Sequence, residues 1–397
     1  MRVALIADVY PPLRSSGAVQ LRDLSREFAR QGHEITVLVA APESDLSWKI
    51  EQTEGVRIVR LKVPRTRDMS YFRRTVGEFL MPFIMLRNFN KSPLAHSRFD
   101  GIVWYSPTIF LGPIVKQLKR RSGCNAYLII RDIFPQWAAD MGLISRGLAF
   151  KLLNSVANFQ YSVADVIGVQ TKGNLAFFTD WKQRSQGRIE VLQNWLTHKP
   201  KTECSIDVQA TALSGRRIFV YAGNMGVAQG MDKLIDLAQR LQHRQDLGFL
   251  LVGRGSEANR LRSVVKQRGL DNVQFFDEIE PDEIPSLYAQ CDVGMVCLDP
   301  KHRTHNIPGK FVSYMHAGLP TLAIINPDND LVDLIRQKRV GRVSISDDGL
   351  DLPATVEEML KDDLNDNGLS DRCKALATEL FSAECAVEQI VSGLGQS

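Results

Sequence analysis

No stretch of the 397 residues approaches the roughly 18 consecutive apolar residues that a membrane span requires. The opening run, Met1-Arg2-Val3-Ala4-Leu5-Ile6-Ala7-Asp8, turns polar too soon for a signal peptide and reads as a first strand. Cysteine is sparse and scattered: Cys124, Cys204, Cys291, Cys297, Cys373 and Cys385 form no C-x-x-C pair. That argues against a thiolate zinc site and for reduced thiols in a cytosolic compartment. A dinucleotide-dependent dehydrogenase would carry G-x-G-x-x-G after the first strand; Asp8-Val9-Tyr10-Pro11-Pro12 stands there instead. Internal repeats and low-complexity tracts are missing as well.

What is present is ordinary for a globular protein: 44% apolar and 24% charged residues. The length favours two or three domains. The net charge of +4 hides an asymmetry. Residues 1–200 hold 28 Lys+Arg against 16 Asp+Glu, and residues 201–397 hold the other 21 against 29. The basic half is expected to face something anionic: nucleic acid, a membrane surface or a phosphorylated substrate.

Short apolar runs alternate with helical patterns. In the first half, strands are predicted at Val3–Ala7, Ile35–Ala40, Val56–Val63, Gly101–Tyr105, Tyr127–Ile130, Val166–Val169 and Ile189–Leu192. Residues 199–215 lack periodicity and read as a linker. Alternation resumes with strands at Arg217–Ala222, Phe249–Val252, Val273–Phe276, Val293–Cys297, Thr321–Ile325 and Val340–Ser344. Such βαβ alternation predicts two doubly wound α/β domains in series, with the cleft between them as the ligand site. One segment, 65–91, breaks the rhythm by mixing cations with large apolar residues. It reads either as an interfacial membrane contact or as a packed helical insertion, and Pro82 argues against one straight amphipathic helix.

The strongest motif is Asn306-Ile307-Pro308-Gly309-Lys310, which opens a short helix ending at Gly318 before the apolar run from Thr321. Backbone N–H groups at Gly309 and the Lys310 ammonium suit a phosphate or diphosphate there. The alternative for Lys310 is a solvated lysine in a surface turn. Gly17 opens a helix after the first strand, where a phosphate can come close to the backbone, or serves simple turn chemistry. Arg254, in Gly253-Arg254-Gly255, is a candidate second phosphate cation or a surface arginine. Asp132 follows a parallel strand and can hold the substrate or take a proton, or can cap the next turn. Asn329 and Asp330 offer polar contacts to a ligand or cap the following helix. His302 and His305 have no nearby Cys or carboxylate pair to complete a metal site, so none is expected.

Pro11-Pro12 with the Gly17 turn, Gly32-His33-Glu34, Tyr221-Ala222-Gly223-Asn224-Met225-Gly226, Val252-Gly253-Arg254-Gly255 and Tyr314-Met315-His316-Ala317-Gly318-Leu319-Pro320 occur in one order and spacing. Together they resemble the retaining glycosyltransferases of family 4. That resemblance implies the GT-B fold, two Rossmann-like domains facing a central cleft. It implies an acceptor-binding domain over 1–200, a nucleotide-sugar domain over 201–375, and a C-terminal helix, about 376–397, packing back on the first. Arg131-Asp132-Ile133-Phe134-Pro135 and the Gly223–Gly230 tract look nearest to fucosamine-type transferases of bacterial O-antigen or capsule assembly. The implied partners are a UDP-linked N-acetylated 6-deoxyhexose or hexosamine, a polyprenyl-diphosphate-linked saccharide and the anionic cytoplasmic face of the inner membrane. Neither nucleic acid, metal nor other cofactor is implied. A GT-B-fold epimerase and a non-catalytic sugar-nucleotide-binding partner are the alternatives.

The chain departs from the family's pattern in two places. The family's paired glutamates fall on His305 and Ser313, which leaves those residues as donor-sugar and ribose contacts. Its Arg and Lys after the first strand of the second domain are absent, with Asn224 and Gln229 nearby. The diphosphate charge then falls to Lys310 and Arg254, with Arg303 as a further candidate, and Gly223 and Gly309 are donor- or phosphate-binding candidates.

Overall fold

The computed structural model describes residues 1–65, 71–197, 203–299, 306–345 and 349–395. The chain divides into two compact units, Met1–Trp195 with Ala383–Ser397, and Leu196–Ser382. The breaks thus fall at Trp195 and Ser382, where the sequence reading has them near 200 and 375. The reason is local packing. The Trp195 indole is buried in the first unit and donates to the Gln20 carbonyl at 2.7 Å. The next residue, Leu196, donates its backbone N–H to Phe381 of the second unit at 3.0 Å.

The first unit holds strands β1 (Arg2–Ala7), β2 (Glu34–Ala41), β3 (Trp48–Thr53), β4 (Val56–Lys62), β5 (Gly101–Ser106), β6 (Asn125–Ile130), β7 (Val166–Val169) and β8 (Arg188–Val191). Their order is β3-β4-β2-β1-β5-β6-β7-β8, parallel apart from the β3–β4 hairpin. Its helices are α1 (Ser16–Arg30), α2 (Tyr71–Phe89), α3 (Gly112–Ser122), α4 (Gln136–Asp140), α5 (Leu148–Val163) and α6 (Thr179–Arg184). The strands are continuous apolar runs because both faces are covered. Ala4 and Ile6 enter one core layer, and Val3, Leu5 and Ala7 enter the other.

The second unit holds β9 (Arg217–Ala222), β10 (Leu247–Val252), β11 (Val273–Phe276), β12 (Val293–Cys297), β13 (Thr321–Ile324) and β14 (Gly341–Ser344), in the order β11-β10-β9-β12-β13-β14, all parallel. Its helices are α7 (Asp232–Arg240), α8 (Ala258–Arg268), α9 (Ile284–Tyr288), α10 (Gly309–Ala317), α11 (Asp330–Lys338), α12 (Leu352–Glu358) and α13 (Leu369–Leu380). The last helix, α14 (Ala383–Gly395), returns to the first unit. It buries Val387, Ile390 and Leu394 beside α1, with Arg30 and Glu384 paired at 2.9 Å.

Every strand predicted from an apolar run is present within two residues of its predicted ends. Three expectations need correction. The sequence reading misses β3, whose charged WKIEQT pattern is that of a half-exposed edge; a two-residue turn at Glu54 and Gly55, both at positive φ, closes it onto β4. The described part of the expected linker is packed rather than free, since Ile206, Val208 and Leu213 are buried in the second unit's core. And α2 continues through Pro82 as one helix. A mid-helix proline costs about 3 kcal/mol. Burial of Met81, Met85 and Phe89 on the same face offsets that cost.

Candidate active site

In an open parallel sheet, ligand-facing residues gather at the carboxyl ends of strands, where the strand order reverses. The second unit reverses between β9 and β12. Four pieces of chain meet there: the residues after β9, those after β10, the end of β12, and the start of α10.

Lys310 is the second residue of α10, whose N-cap is Pro308. Buried Phe311, Val312, Tyr314 and Met315 fix the helix against the core, so its first turn is held in place. The Lys310 ammonium lies 4.5 Å from the centroid of the Tyr221 ring. It has no carboxylate partner among the described residues. Burial pulls its pKa from the usual lysine range to about 8, opposed by the nearby Cys297 thiol. A desolvated cation over an aromatic face, at a helix N-terminus, is chemically suited to an anion. Tyr221 also donates its hydroxyl to the Asn224 carbonyl at 2.6 Å. One phenol ring therefore holds both the lysine and the loop after β9.

That loop depends on glycine. Gly223 has φ +142, and a Cβ on it would lie 3.6 Å from Lys310 Cε. Gly253 also has φ +142, and a Cβ there would collide with the Gly223 carbonyl. The two loops pack backbone on backbone, with Gly223 N–H donating to Val252 at 2.9 Å and Met225 N–H to Arg254 at 2.7 Å. The Gln229 side chain closes the first loop, accepting from Gly226 N–H at 2.9 Å and from the Asn224 amide at 3.2 Å. At the end of β12, the Cys297 thiol donates to Gly230 at 3.3 Å, and burial pushes its pKa up to about 12.

The other second-unit candidates are placed less closely. Gly309 is the first residue of α10. Ser313 donates its hydroxyl back to the Gly309 carbonyl at 3.1 Å, which leaves its lone pairs as acceptors. Arg254 is exposed and pairs with Glu278 at 2.7 Å, so much of its charge is already matched. Asn329 is buried and caps α11, accepting from Leu331 N–H at 2.9 Å, and Asp330 opens that helix. Capping is the alternative the sequence offers for this pair. His302, Arg303 and His305 lie outside the described residues. Among the described residues, no group of three or more His, Cys, Asp and Glu is placed to hold a metal ion.

The first unit has its own reversal point, between β1 and β5. Asp8 follows β1, Tyr105 is the penultimate residue of β5, and Arg131 and Asp132 follow β6. Their charges act on one another: Tyr105 has its pKa raised, by burial first, eased by Arg131 and reinforced by Asp132 and Asp8. Asp132 is half-buried, beside buried Arg131. Arg131 donates to the Leu192 carbonyl at 2.9 Å and the Gln193 carbonyl at 3.2 Å, and stacks 4.4 Å over the Trp195 ring. Burial lowers its pKa to about 10. Gly17 sits in the first turn of α1, where Ser15 Oγ accepts from Ala18 N–H at 3.4 Å. A Cβ on Gly17 would come within 3.1 Å of the Tyr105 hydroxyl, so packing alone already calls for glycine.

Sequence reasoning picks out Asp132 and Lys310 but passes over Asp8, Tyr105, Arg131 and Tyr221. Asp8 and Arg131 carry a usable signal, since each directly follows an apolar strand that the sequence shows clearly; Tyr105 and Tyr221 lie one residue inside a strand end and carry none.

Comparison with known proteins bears on this arrangement. The family described as "Glycosyl transferase 4-like domain" matches residues 17–195, and "Glycosyl transferases group 1" matches residues 216–362. The Escherichia coli (strain K12) protein WcaI, named as a colanic acid biosynthesis glycosyl transferase, is 25% identical over 353 residues, which cover 80% of this chain and 82% of that one. Among solved structures, sucrose-phosphate synthase from Thermosynechococcus elongatus superposes with a TM-score of 0.76 at 16% identity, covering 99% of this chain and 98% of that one. Anabaena HepE, in complex with UDP and glucose, gives 0.69 at 15% identity and 99% of each chain. At those identities the structures speak for the fold, and the two family matches span both units. The chain is a glycosyltransferase of the GT-B fold, with a glycosyl transferase 4-like domain followed by a glycosyl transferases group 1 domain.

Proposed function

We propose that this glycosyltransferase moves an N-acetylated hexose or 6-deoxyhexose from a UDP-linked donor to a lipid-linked saccharide, with retention at the anomeric carbon. The product would be a bacterial surface polysaccharide, O-antigen or capsule, made at the cytoplasmic face of the inner membrane. The single observation behind the donor half is Lys310: a desolvated ammonium over the Tyr221 ring, at the first turn of α10, with Gly223 beside its stem.

In this mechanism the acceptor hydroxyl attacks the anomeric carbon from the face the diphosphate leaves. The new carbon–oxygen bond forms as the bond to the phosphate oxygen breaks, and the electron pair stays on UDP. Asp132 orients the attacking hydroxyl, whose proton ends on the departing phosphate oxygen. Lys310 meets the charge that builds there, and the amides of Gly309 and Gly223 share it. Arg254, Ser313, His305 and Asn224 would contribute donor contacts. The fixed cation takes the part a divalent metal plays elsewhere, so no metal or other cofactor is assigned, and nucleic acid is not a partner. A relative named for colanic acid biosynthesis supports the polysaccharide assignment.

The test is calorimetric titration of UDP, GDP, dTDP, CMP and NAD without metal, followed by transfer assays with the nucleotide sugars of the preferred base. UDP preference abolished by Lys310→Met supports the reading. A protein that binds NAD alone, or binds UDP equally well without Lys310, refutes it.

A further inference from the structure

Exposed large apolar side chains are concentrated on one layer of the first unit. On α2, Val76, Phe79, Leu80 and Phe83 are all exposed, the two rings by 52% and 48%. Their spacing of three, one and three residues puts them on a single helix face. The opposite face, with Met81, Met85 and Phe89, is buried in the core. On α5, Leu148 (87%), Leu152 (66%) and Phe159 repeat the arrangement, with Ala157 and Tyr161 turned inward to the same core. Helix α3 joins that core through Ile114, Val115 and Leu118. Lys116 of α3 stands 5.3 Å over the Phe159 ring of α5. All three helices cover one face of the sheet, so their outer faces look the same way, away from it.

The charge on this layer has one sign. Helices α2, α3 and α5 carry eight Lys and Arg against one carboxylate, Glu78, which is paired with Arg74. Among the described residues, Arg73, Arg87, Lys91, Lys116, Arg120 and Lys151 are exposed and have no carboxylate partner. This differs from α8 in the second unit, also basic, where Arg260, Arg262 and Arg268 are each ion-paired.

We infer that the outer faces of α2 and α5 form a docking surface for an anionic phospholipid bilayer. The apolar ridges enter the acyl boundary, and the unpaired cations meet lipid phosphates. Charge complementarity selects this occupant. A second copy of the chain, apposed through the same face, would bring like charges together with no carboxylates to separate them. The surface deepens the lipid-linked-acceptor reading by naming where the bilayer sits, but vesicle binding can be tested without any transfer assay.

The experiment is flotation of the full chain with phosphatidylcholine vesicles and with mixed phosphatidylcholine–phosphatidylglycerol vesicles, at low and high salt. Binding to the mixed vesicles alone is expected, weakened by salt. The pairs Phe79→Ser with Phe83→Ser, and Leu148→Ser with Leu152→Ser, should each lower partitioning by about tenfold or more. Lys116→Glu with Lys151→Glu should lower it by at least about fivefold per charge removed. Leu350→Ser, exposed in the second unit, should leave it unchanged. A Trp at position 79 (Phe79→Trp) should shift its emission to the blue on mixed vesicles. Absence of binding by the parent chain, or binding unmoved by both serine pairs, overturns the proposal. So does a serine pair that dissolves a dimer instead. UDP titration of the same variants separates the two readings: vesicle binding without UDP binding retains this surface and removes the donor site.

Discussion

Each unit holds a desolvated cation near the carboxyl ends of its strands, buried Arg131 after β6 and half-buried Lys310 at the start of α10, and the two have different partners. Arg131 faces protein: it donates to two carbonyls and stacks on the Trp195 ring, while its Nε has no hydrogen-bond partner, in the stretch where the chain leaves the first unit. Lys310 lies over the Tyr221 ring, with Gly223 beside its stem and no carboxylate partner among the described residues. Burial lowers both pKa values, to about 10 for Arg131 and about 8 for Lys310. Only the lysine is thereby poised near physiological pH. The two differ in kind: Arg131 is hydrogen-bonded to the backbone of its own unit, and Lys310 has a ring contact and no carboxylate partner among the described residues.

The sharpest way to break this comparison is to remove each cation. Lys310→Met should cut turnover by about 100- to 1000-fold, the usual loss for one group that stabilises a leaving oxyanion. Folding stability should hold or rise, since a desolvated charge is gone; urea unfolding measures this. Arg131→Met should do the reverse in kind. It leaves the Leu192 and Gln193 carbonyls unsatisfied and should cost stability by about 2–3 kcal/mol. A thermally fragile but still UDP-binding protein is the expected phenotype. If Arg131→Met spared stability and abolished donor binding, the roles would have to be exchanged.

pH sharpens the contrast further. The folded pKa of Lys310 lies below its unfolded value of 10.5. Below pH 8 the lysine is charged in both states, and its desolvation cost is fully present. Between about pH 8 and 10.5 the unfolded chain binds more protons, so this residue's contribution to stability rises with pH across that window. Donor binding runs the opposite way. An anion prefers the ammonium, so UDP affinity should fall above pH 8, by up to about tenfold per unit. Lys310→Arg, which stays charged, should flatten the fall; titration calorimetry from pH 7 to 9.5 checks it.

The smallest effect expected concerns Tyr221. Tyr221→Phe keeps the ring under the lysine but loses the 2.6 Å hydrogen bond to Asn224. UDP affinity should drop only severalfold, in line with about 1 kcal/mol for one such bond. Tyr221→Leu removes the cation–π contact as well, and should also move the pH at which affinity falls.

The fold was largely legible because strands covered on both faces appear as unbroken apolar runs. Where that condition failed, so did the reading: β3 is half-exposed and charged, and α2 crosses a proline because packing outweighs the backbone cost. The site was legible in part. Lys310 announced itself through the Pro308-Gly309 turn and the helix behind it. Tyr221 and Tyr105 did not, since a tyrosine one residue inside a strand end is indistinguishable in sequence from a core residue. Asn329 offered both a ligand contact and a cap, and geometry shows the cap. The cations of segment 65–91 stood out in the sequence, but their lack of ion-pair partners did not, because pairing depends on tertiary neighbours.

The most direct test of the donor site is UDP titration of the parent chain and of Lys310→Met, at pH 7 and pH 9, without metal. The account predicts clear binding at pH 7 that weakens at pH 9, and no measurable binding by the variant at either pH. Equal affinity for the two proteins, or binding that strengthens from pH 7 to 9, would contradict it.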